Sequence, residues 1–362
     1  MSEAARQTAA CKPGRYAAID IGTVTARLLV ADVEADGTIT ELKRDTAICN
    51  LGVGVDKTGV LDPAAIARVE EVVGRFVRTI DELQPADAGS SIVVTANATS
   101  ASRDAKNSGD FVNVLAKLGI TLSVIPGEKE AALSFAGATS AFPGERVVVL
   151  DVGGGSSEII AGQAGGEPVH AHSFNIGCRR VTERYLHDDP PAQQQLDDAA
   201  AWIADEMREY LGKLVADGFG GTADAACEPC EASCEGGAAG AGAGAQDLGE
   251  EASKDAASCR VVAVAGTATS IISMREQMDV YDSSRVHGAV ATREDIDGML
   301  ARLGAMTLDE RKQVVGLDPG RAPVIVAGML ILQQIMQGLG TDSFTVSERD
   351  ILHGIILDAA SA

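Results

Sequence analysis

The chain has 362 residues, 46% of them hydrophobic and only 3% aromatic. That apolar share is ample for two buried cores and excludes a disordered chain, while 40 glycines without a G-x-y period exclude collagen. A formal net charge of −22 leaves no basic footprint, so neither nucleic acid nor an anionic membrane surface is an expected partner.

Residues 1–14 read as a flexible tail. YAAIDIG and ARLLVADV read as two strands joined by a tight turn, and Asp36-Gly37 opens the next turn. Asp62-Pro63 starts a helix with Ile66, Val69, Val73, Phe76 and Ile80 on one face. SIVVTAN, GDFVNVLAKLG and TLSVIP follow as strand, helix and strand. Gly127 opens a further helix that ends near Pro143. The grammar then restarts: RVVVLDVGGGSSEIIAG is again strand, Gly-rich turn, strand. Residues 192–216 form an amphipathic helix through Ile203, Met207, Leu211 and Leu214, with the lone Trp202 as core filler. Residues 217–258 hold nine acidic residues against a single cation, Lys254. Such a stretch buries too little apolar surface to offset its ordering entropy, and it reads as a disordered surface insertion. Order returns with CRVVAVAGTATSI, a strand running into a Gly-Thr turn and a helix. Thr292 with Asp295, and Ser347 with Asp350, have the spacing of capping boxes. PVIVAGMLILQQIM reads as a buried helix.

No apolar run reaches the ~20 residues that a membrane span needs, and the first residues lack a signal peptide's apolar core. A soluble, cytoplasmic protein is expected. The seven cysteines are an odd count at irregular spacing, which argues against a disulfide framework. Cys227, Cys230, Cys234 and Cys259 could supply four thiolates to zinc, but their acidic, Gly/Ala-rich setting favours free thiols.

The most informative feature is an internal echo. IDIGTVTARLLV around Asp20 resembles LDVGGGSSEIIA around Asp151, 131 residues later. Each has Asp at the end of an apolar strand, then Gly, then small hydroxylated residues, then a second strand. Gly lets backbone N–H groups approach an anion closely, and successive N–H groups form an anion nest. An Asp at the strand end can hold a hydrated divalent cation. Two such loops on facing domains would clamp a phosphate chain from both sides. A strand follows each Gly turn, which disfavours a Rossmann site, and no P-loop pattern is present.

Strand, phosphate hairpin, strand, duplicated in two domains, resembles the actin and sugar-kinase superfamily. Within it the chain is similar to the exopolyphosphatase / guanosine pentaphosphate phosphohydrolase (Ppx/GppA) family. The similarity covers nearly all of 16–358 except the insertion. It rests on seven ordered motifs: AAIDIGTVTARLLV, ATSASRDAKN, PGEKEAALSFAGA, VVVLDVGGGSSEII, NIGCRRVTERYL, VAGTATSI and VSERDILHGIIL. The implied fold class is α/β: two duplicated actin-like (ribonuclease H-like) domains with a cleft between them. The expected limits are 15–127 and 128–346, with a C-terminal helix in 347–362 packing back on the first domain.

The resemblance also implies hydrolysis of a terminal phosphoanhydride bond with Mg2+. It places the general base at Glu130, in Gly127-Glu128-Lys129-Glu130-Ala131-Ala132, with Glu128 the nearest competitor. It assigns metal handling and the ordering of the cation's water to Asp151 and Glu158, with Glu158 also catalytic and Asp20 supporting from the opposite domain. It assigns phosphate binding to Gly22, Thr23 and Thr25 of the first loop, to Gly153, Gly154, Gly155 and Ser156 of the second, to Gly266 and Thr267, and to Arg103 and Arg180.

Three departures from the family pattern bear on substrate and turnover: Val24 replaces an Asn donor, Lys129 replaces a Glu, and Ala132 replaces an Arg. His287 reads as structural. The implied substrates are polyphosphate or guanosine pentaphosphate, and a homodimer is compatible with the family. A protein that senses nucleotide or phosphate without hydrolysing it is the competing reading. The resemblance implies a short form, without the extra helical domains of longer relatives.

Overall fold

The computed structural model describes residues 11–85, 91–220 and 259–361. The first half opens with β1 (Gly14–Ile21), β2 (Thr25–Val33) and β3 (Ile39–Ile48), then α1 (Val55–Thr58), α2 (Pro63–Glu82), β4 (Val93–Ala98), α3 (Ser100–Asp104), α4 (Ser108–Ala116) and β5 (Leu122–Val124). After α5 (Gly127–Thr139) come β6 (Arg146–Val152), β7 (Ser157–Gln163), β8 (Pro168–Phe174), α6 (Cys178–Tyr185) and α7 (Gln193–Leu214). The chain continues through β9 (Arg260–Val264), α8 (Ala265–Arg275), α9 (Ser283–Val286), β10 (Val290–Thr292), α10 (Arg293–Gly304) and α11 (Leu308–Arg311). It closes with α12 (Ile325–Leu339), β11 (Ser343–Val346) and α13 (Ile351–Ser361).

The two sheets share one plan. The first runs β3-β2-β1-β4-β5; the second runs β10-β11-β9-β6-β7-β8. In each, an antiparallel meander of three strands leads to a parallel neighbour of its first strand: β4 beside β1, and β9 beside β6. The fold is α/β, two duplicated actin-like halves with a cleft between them.

The cores follow from strand patterning. β1 and β6 are almost wholly buried, as central strands covered on both faces must be. One face of the first sheet packs on α2 and α4 through Val69, Val73, Phe76 and Phe111. Its other face is covered by α13, through Leu352, Ile355 and Ile356 against Ala18 and Leu29. Conversely, α5 leaves the first half and covers the second sheet, with Ala131, Phe135 and Ala138 against Val147, Val149 and Ile160. So the two helices cross between the sheets. At the crossing a Cβ on Gly137 would run into the carbonyl of Asp350, and one on Gly354 into that of Leu133. Only glycine permits this backbone-to-backbone approach.

Several expectations need correction. Order begins by residue 11, because Cys11 is buried and the Lys12 N–H donates to the Ala360 carbonyl at 2.8 Å; residues 1–10 lie outside the described residues. Residues 217–220 belong to the structured protein: α7 runs on into a wider turn over Val215–Phe219, and Phe219 is buried. The rest of the supposed insertion, with Cys227, Cys230 and Cys234, lies outside the described residues. Thr292 and Asp295 do form a capping box, and so do Thr307 and Glu310. Ser347 and Asp350 do not. Asp350 instead accepts the Leu352 N–H at 3.0 Å and turns its other oxygen to Arg27.

Candidate active site

Both Gly-rich hairpins stand at the mouth of the interdomain cleft, which has a volume of about 680 Å3. They close in the same way. The Gly22 N–H donates to the Thr25 carbonyl at 2.8 Å, and the Gly153 N–H to the Ser156 carbonyl at 3.0 Å. Asp20, Gly22, Thr23, Thr25, Glu130, Asp151, Gly153, Gly154, Gly155, Ser156 and Gly266 all line the same cleft.

The second hairpin is held by its carbonyls. Gly153 accepts from the Cys178 N–H at 2.9 Å, Gly154 from the Arg179 N–H at 2.8 Å, and Gly155 from Arg180 Nε at 3.1 Å. In a trans peptide the N–H points opposite to the C=O. Three consecutive amides, those of Gly154, Gly155 and Ser156, are therefore turned away from α6, which builds an anion nest. The two hairpins also touch. A Cβ on Gly154 would lie 2.6 Å from Val24 Cγ2, and one on Gly155 would lie 2.6 Å from Thr23 Oγ1. Gly154→Ala should therefore wedge the hairpins apart, raising the KM of any reaction in the cleft about tenfold or more with the fold intact. Steady-state kinetics beside a denaturation curve would check this.

The acids differ between the halves. On the first hairpin Asp20 pairs across strands with Arg27; at the matching place on the second, Asp151 pairs with Glu158. Arg27 spends Nε (3.1 Å) and Nη2 (2.5 Å) on Asp20 Oδ2, and Nη1 (2.5 Å) on Asp350. Asp20 Oδ1 is left buried without a hydrogen bond. Asp151 Oδ2 accepts from Ser134 Oγ at 2.6 Å. Burial raises the Asp151 carboxyl to about 6, against the pull of Arg27 and Ser134. Glu130, at the first turn of α5, is raised to about 7 by burial, with Arg103 opposing and Asp20 and Asp151 adding. Glu158 is pushed well above its ordinary value by burial and by Glu130 and Asp151, while its Oε1 accepts from Ser173 Oγ at 2.6 Å. Three carboxyl groups thus compete for negative charge on one side of the cleft, the usual signature of proton or cation chemistry.

Four expected residues are placed off the cleft wall. Glu158 sits behind Asp151 and Glu130, buried on β7. Arg103 Nη1 donates to Glu130 Oε2 at 2.5 Å and to the Ile125 carbonyl at 3.0 Å, so it orients the acid. Arg180 turns to Asp56 and Asp104 in a side crevice. Thr267 packs under α12, where a Cβ on Gly328 would lie 2.5 Å from its Oγ1; its α-helical position after Gly266 carries it to the far face. Val24, read as a lost donor, lines the cleft and is also buried in the second half's core, so it helps to pack the halves together.

Sequence reasoning passed over Arg27, Asp350 and Arg321. The guanidinium of Arg321 occupies the space where Gly266 would carry a Cβ and lines the cleft. The seven-residue spacing shared by Asp20–Arg27 and Asp151–Glu158 is a signal that could have found the first.

Paired Gly-rich cradles and a cluster of buried acids thus share one cleft between the two lobes. The family model of the Ppx/GppA phosphatase family matches residues 29–227 and 246–362. The chain belongs to that family. Among curated relatives, exopolyphosphatase 2 of Mycobacterium tuberculosis is 33% identical over 96% of this chain and 98% of its own length. The bifunctional 3-dehydroquinate synthase/phosphatase of Fusobacterium nucleatum is 30% identical over 94% of this chain, which spans 46% of that protein. A crystal structure of an exopolyphosphatase-like protein superposes with a TM-score of 0.78 at 29% identity, covering 96% of this chain and 98% of that one. The Aquifex aeolicus family member superposes at 0.68 with 24% identity, over 96% and 97% of the two chains, and bears on the fold alone.

Proposed function

We propose that this hydrolase is an exopolyphosphatase, releasing terminal orthophosphate from inorganic polyphosphate with Mg2+. The observation that carries the reading is the contact between the two Gly-rich hairpins, with Glu130 and Asp151 lining the same cleft. The named relatives support the substrate class.

The donor set fits Mg2+. Asp20 Oδ1 is a buried, unpartnered carboxylate oxygen, and Asp151 has one oxygen outside its Ser134 bond. Among the described residues no three His, Cys, Asp or Glu side chains converge as a closed cage. Mg2+ commonly keeps several waters and needs only one or two carboxylates from the protein. Asp20 and Asp151 would hold it, with Glu158 behind Asp151. When bound, Mg2+ neutralises phosphate charge. The protein supplies the rest. The amides of 154–156 and the first hairpin grip the terminal phosphate, and Arg321 and Gly266 line the path of the chain beyond it. Glu130, oriented by Arg103, takes a proton from the attacking water. The new P–O bond forms as the bridging anhydride bond breaks, and the shortened chain leaves as the anion. Such catalysis is mostly positioning and charge neutralisation.

Guanosine pentaphosphate presents the same terminal phosphate and is the second substrate to test. Binding without hydrolysis is the competing reading, motivated by Val24 and Ala132 where the family carries Asn and Arg. The deciding experiment measures orthophosphate release by the full chain with Mg2+, from polyphosphates of several lengths, guanosine pentaphosphate and ATP, side by side. Polyphosphate should be the best substrate. Release confined to guanosine pentaphosphate or ATP would overturn the assignment.

A further inference from the structure

Arg180 looks at first like one more phosphate ligand, yet its surroundings give its charge another use. It sits on α6, where Nε donates to the Gly155 carbonyl at 3.1 Å. Nη2 donates to Asp104 at 2.5 Å and Nη1 to Asp56. Gly155 belongs to the second half's nest; Asp56 and Asp104 belong to the first half. One planar guanidinium therefore ties the third carbonyl of the nest to two carboxylates across the domain seam. A planar fork spreads its donors over three nitrogens and reaches these separated acceptors in fixed directions, which the single nitrogen of an ammonium does not match. Neighbouring contacts cross the same seam: Arg179 Nη2 donates to Asn50 Oδ1, and the Gly54 N–H donates to Glu183 at 3.2 Å. Arg180 lies in a side crevice with Asp56, Asp104 and Glu183 and does not line the main cleft.

We propose that Arg180 is a positioning residue, which turns the Ser156 amide toward the phosphate only while the two halves are closed on each other. The inference rests on the reading of the cleft as a phosphate site. Its consequence is that the nest is complete only in the closed protein. Losing the Asp56 and Asp104 bonds releases Arg180, frees the Gly155 carbonyl and lets the 155–156 peptide rotate.

The two roles predict opposite signs. If Arg180 gripped phosphate directly, removing its competing carboxylates would free it and tighten binding. If it positions the nest, the same change weakens binding. The test uses the full chain with Asp56→Asn and Asp104→Asn combined, and Arg180→Lys. Asp56 and Asp104 are partly exposed, so the Asn pair keeps the test open if the Arg180 variant does not fold. Hydrogen exchange on the ligand-free protein should rise about tenfold in peptides covering 153–157 and 177–181 in the Asn pair. The KM for tripolyphosphate with Mg2+ should rise about tenfold in both variants, with kcat within about threefold. Unchanged exchange in the Asn pair overturns the proposal whatever the kinetics, and so does a KM that falls or stays level. A wild-type protein that releases no orthophosphate would overturn the phosphatase reading instead, and exchange alone would then judge the positioning role.

Discussion

Glu130→Gln should lower kcat about 10²–10⁴-fold, the contribution usual for a positioned general base, while polyphosphate binding persists. The amide keeps the shape and still accepts from Arg103, so the pocket should survive. Glu130 must be ionised to take a proton, and burial raises it to about 7 against the pull of Arg103. In the wild type, kcat/KM should therefore climb with pH up to about 7 and fall about tenfold per unit below it. In the variant this limb should vanish. The same shift has a stability sign. The folded protein keeps this proton to about pH 7, the unfolded chain only to about 4.3, so burying Glu130 costs stability as pH rises through that window. A pH–rate profile beside equilibrium binding checks all three statements. Activity within threefold of wild type would remove Glu130 from the mechanism.

Asp151→Asn should be as damaging for a different reason, and it should not weaken the fold. Asp151 is buried and raised to about 6, chiefly by burial, so its charge is held at a cost. An Asn oxygen can still accept from Ser134 Oγ. The variant should therefore denature at the same temperature as wild type or higher at pH 7. It should nevertheless lose about 10²–10³-fold in rate, because the charge that would hold the cation is gone. Thermal denaturation and phosphate release on one preparation test this pairing. A loss of stability in step with the loss of activity would mean that Asp151 is structural.

These two effects trace to the asymmetry inside the repeat. The matched strands place Arg27 opposite Asp20, but Glu158 opposite Asp151. The first half sets a guanidinium against its Asp, though burial still raises that carboxyl. The second piles acid upon acid, with Glu130 added from α5, and burial then raises all three carboxyl groups. On the proposed function, the first cradle would serve mainly as grip and the second would carry the chemistry.

Much of this was legible before any coordinates. Strand–Gly turn–strand is a local pattern, so both hairpins and their duplication could be read directly, as could the buried α12 and the Thr292 capping box. What resisted reading was long-range. The tie of Asp350 to Arg27 spans 323 positions in the chain, and Asp350 looked like part of a local cap. Arg180 and Thr267 sit in motifs that imply phosphate contact, yet the direction of a side chain depends on what packs beside it. For Arg180 that is a pair of carboxylates in the other half; for Thr267 it is the bare backbone of Gly328. Val24 read as a lost donor, because nothing local shows that it lies in the opposite core. The start of order at Cys11 was missed because the partners of Cys11 and Lys12, Ser361 and Ala360, are at the far end of the chain.

The claim on which the account turns is that both hairpins hold one phosphate together. A crystal structure of Glu130→Gln soaked with tripolyphosphate and Mg2+ would test it most directly. One terminal phosphate should lie within hydrogen-bonding distance of the 154–156 amides and of the 22–25 loop at once. A ligand seated on one hairpin alone, or outside the cleft, would contradict it.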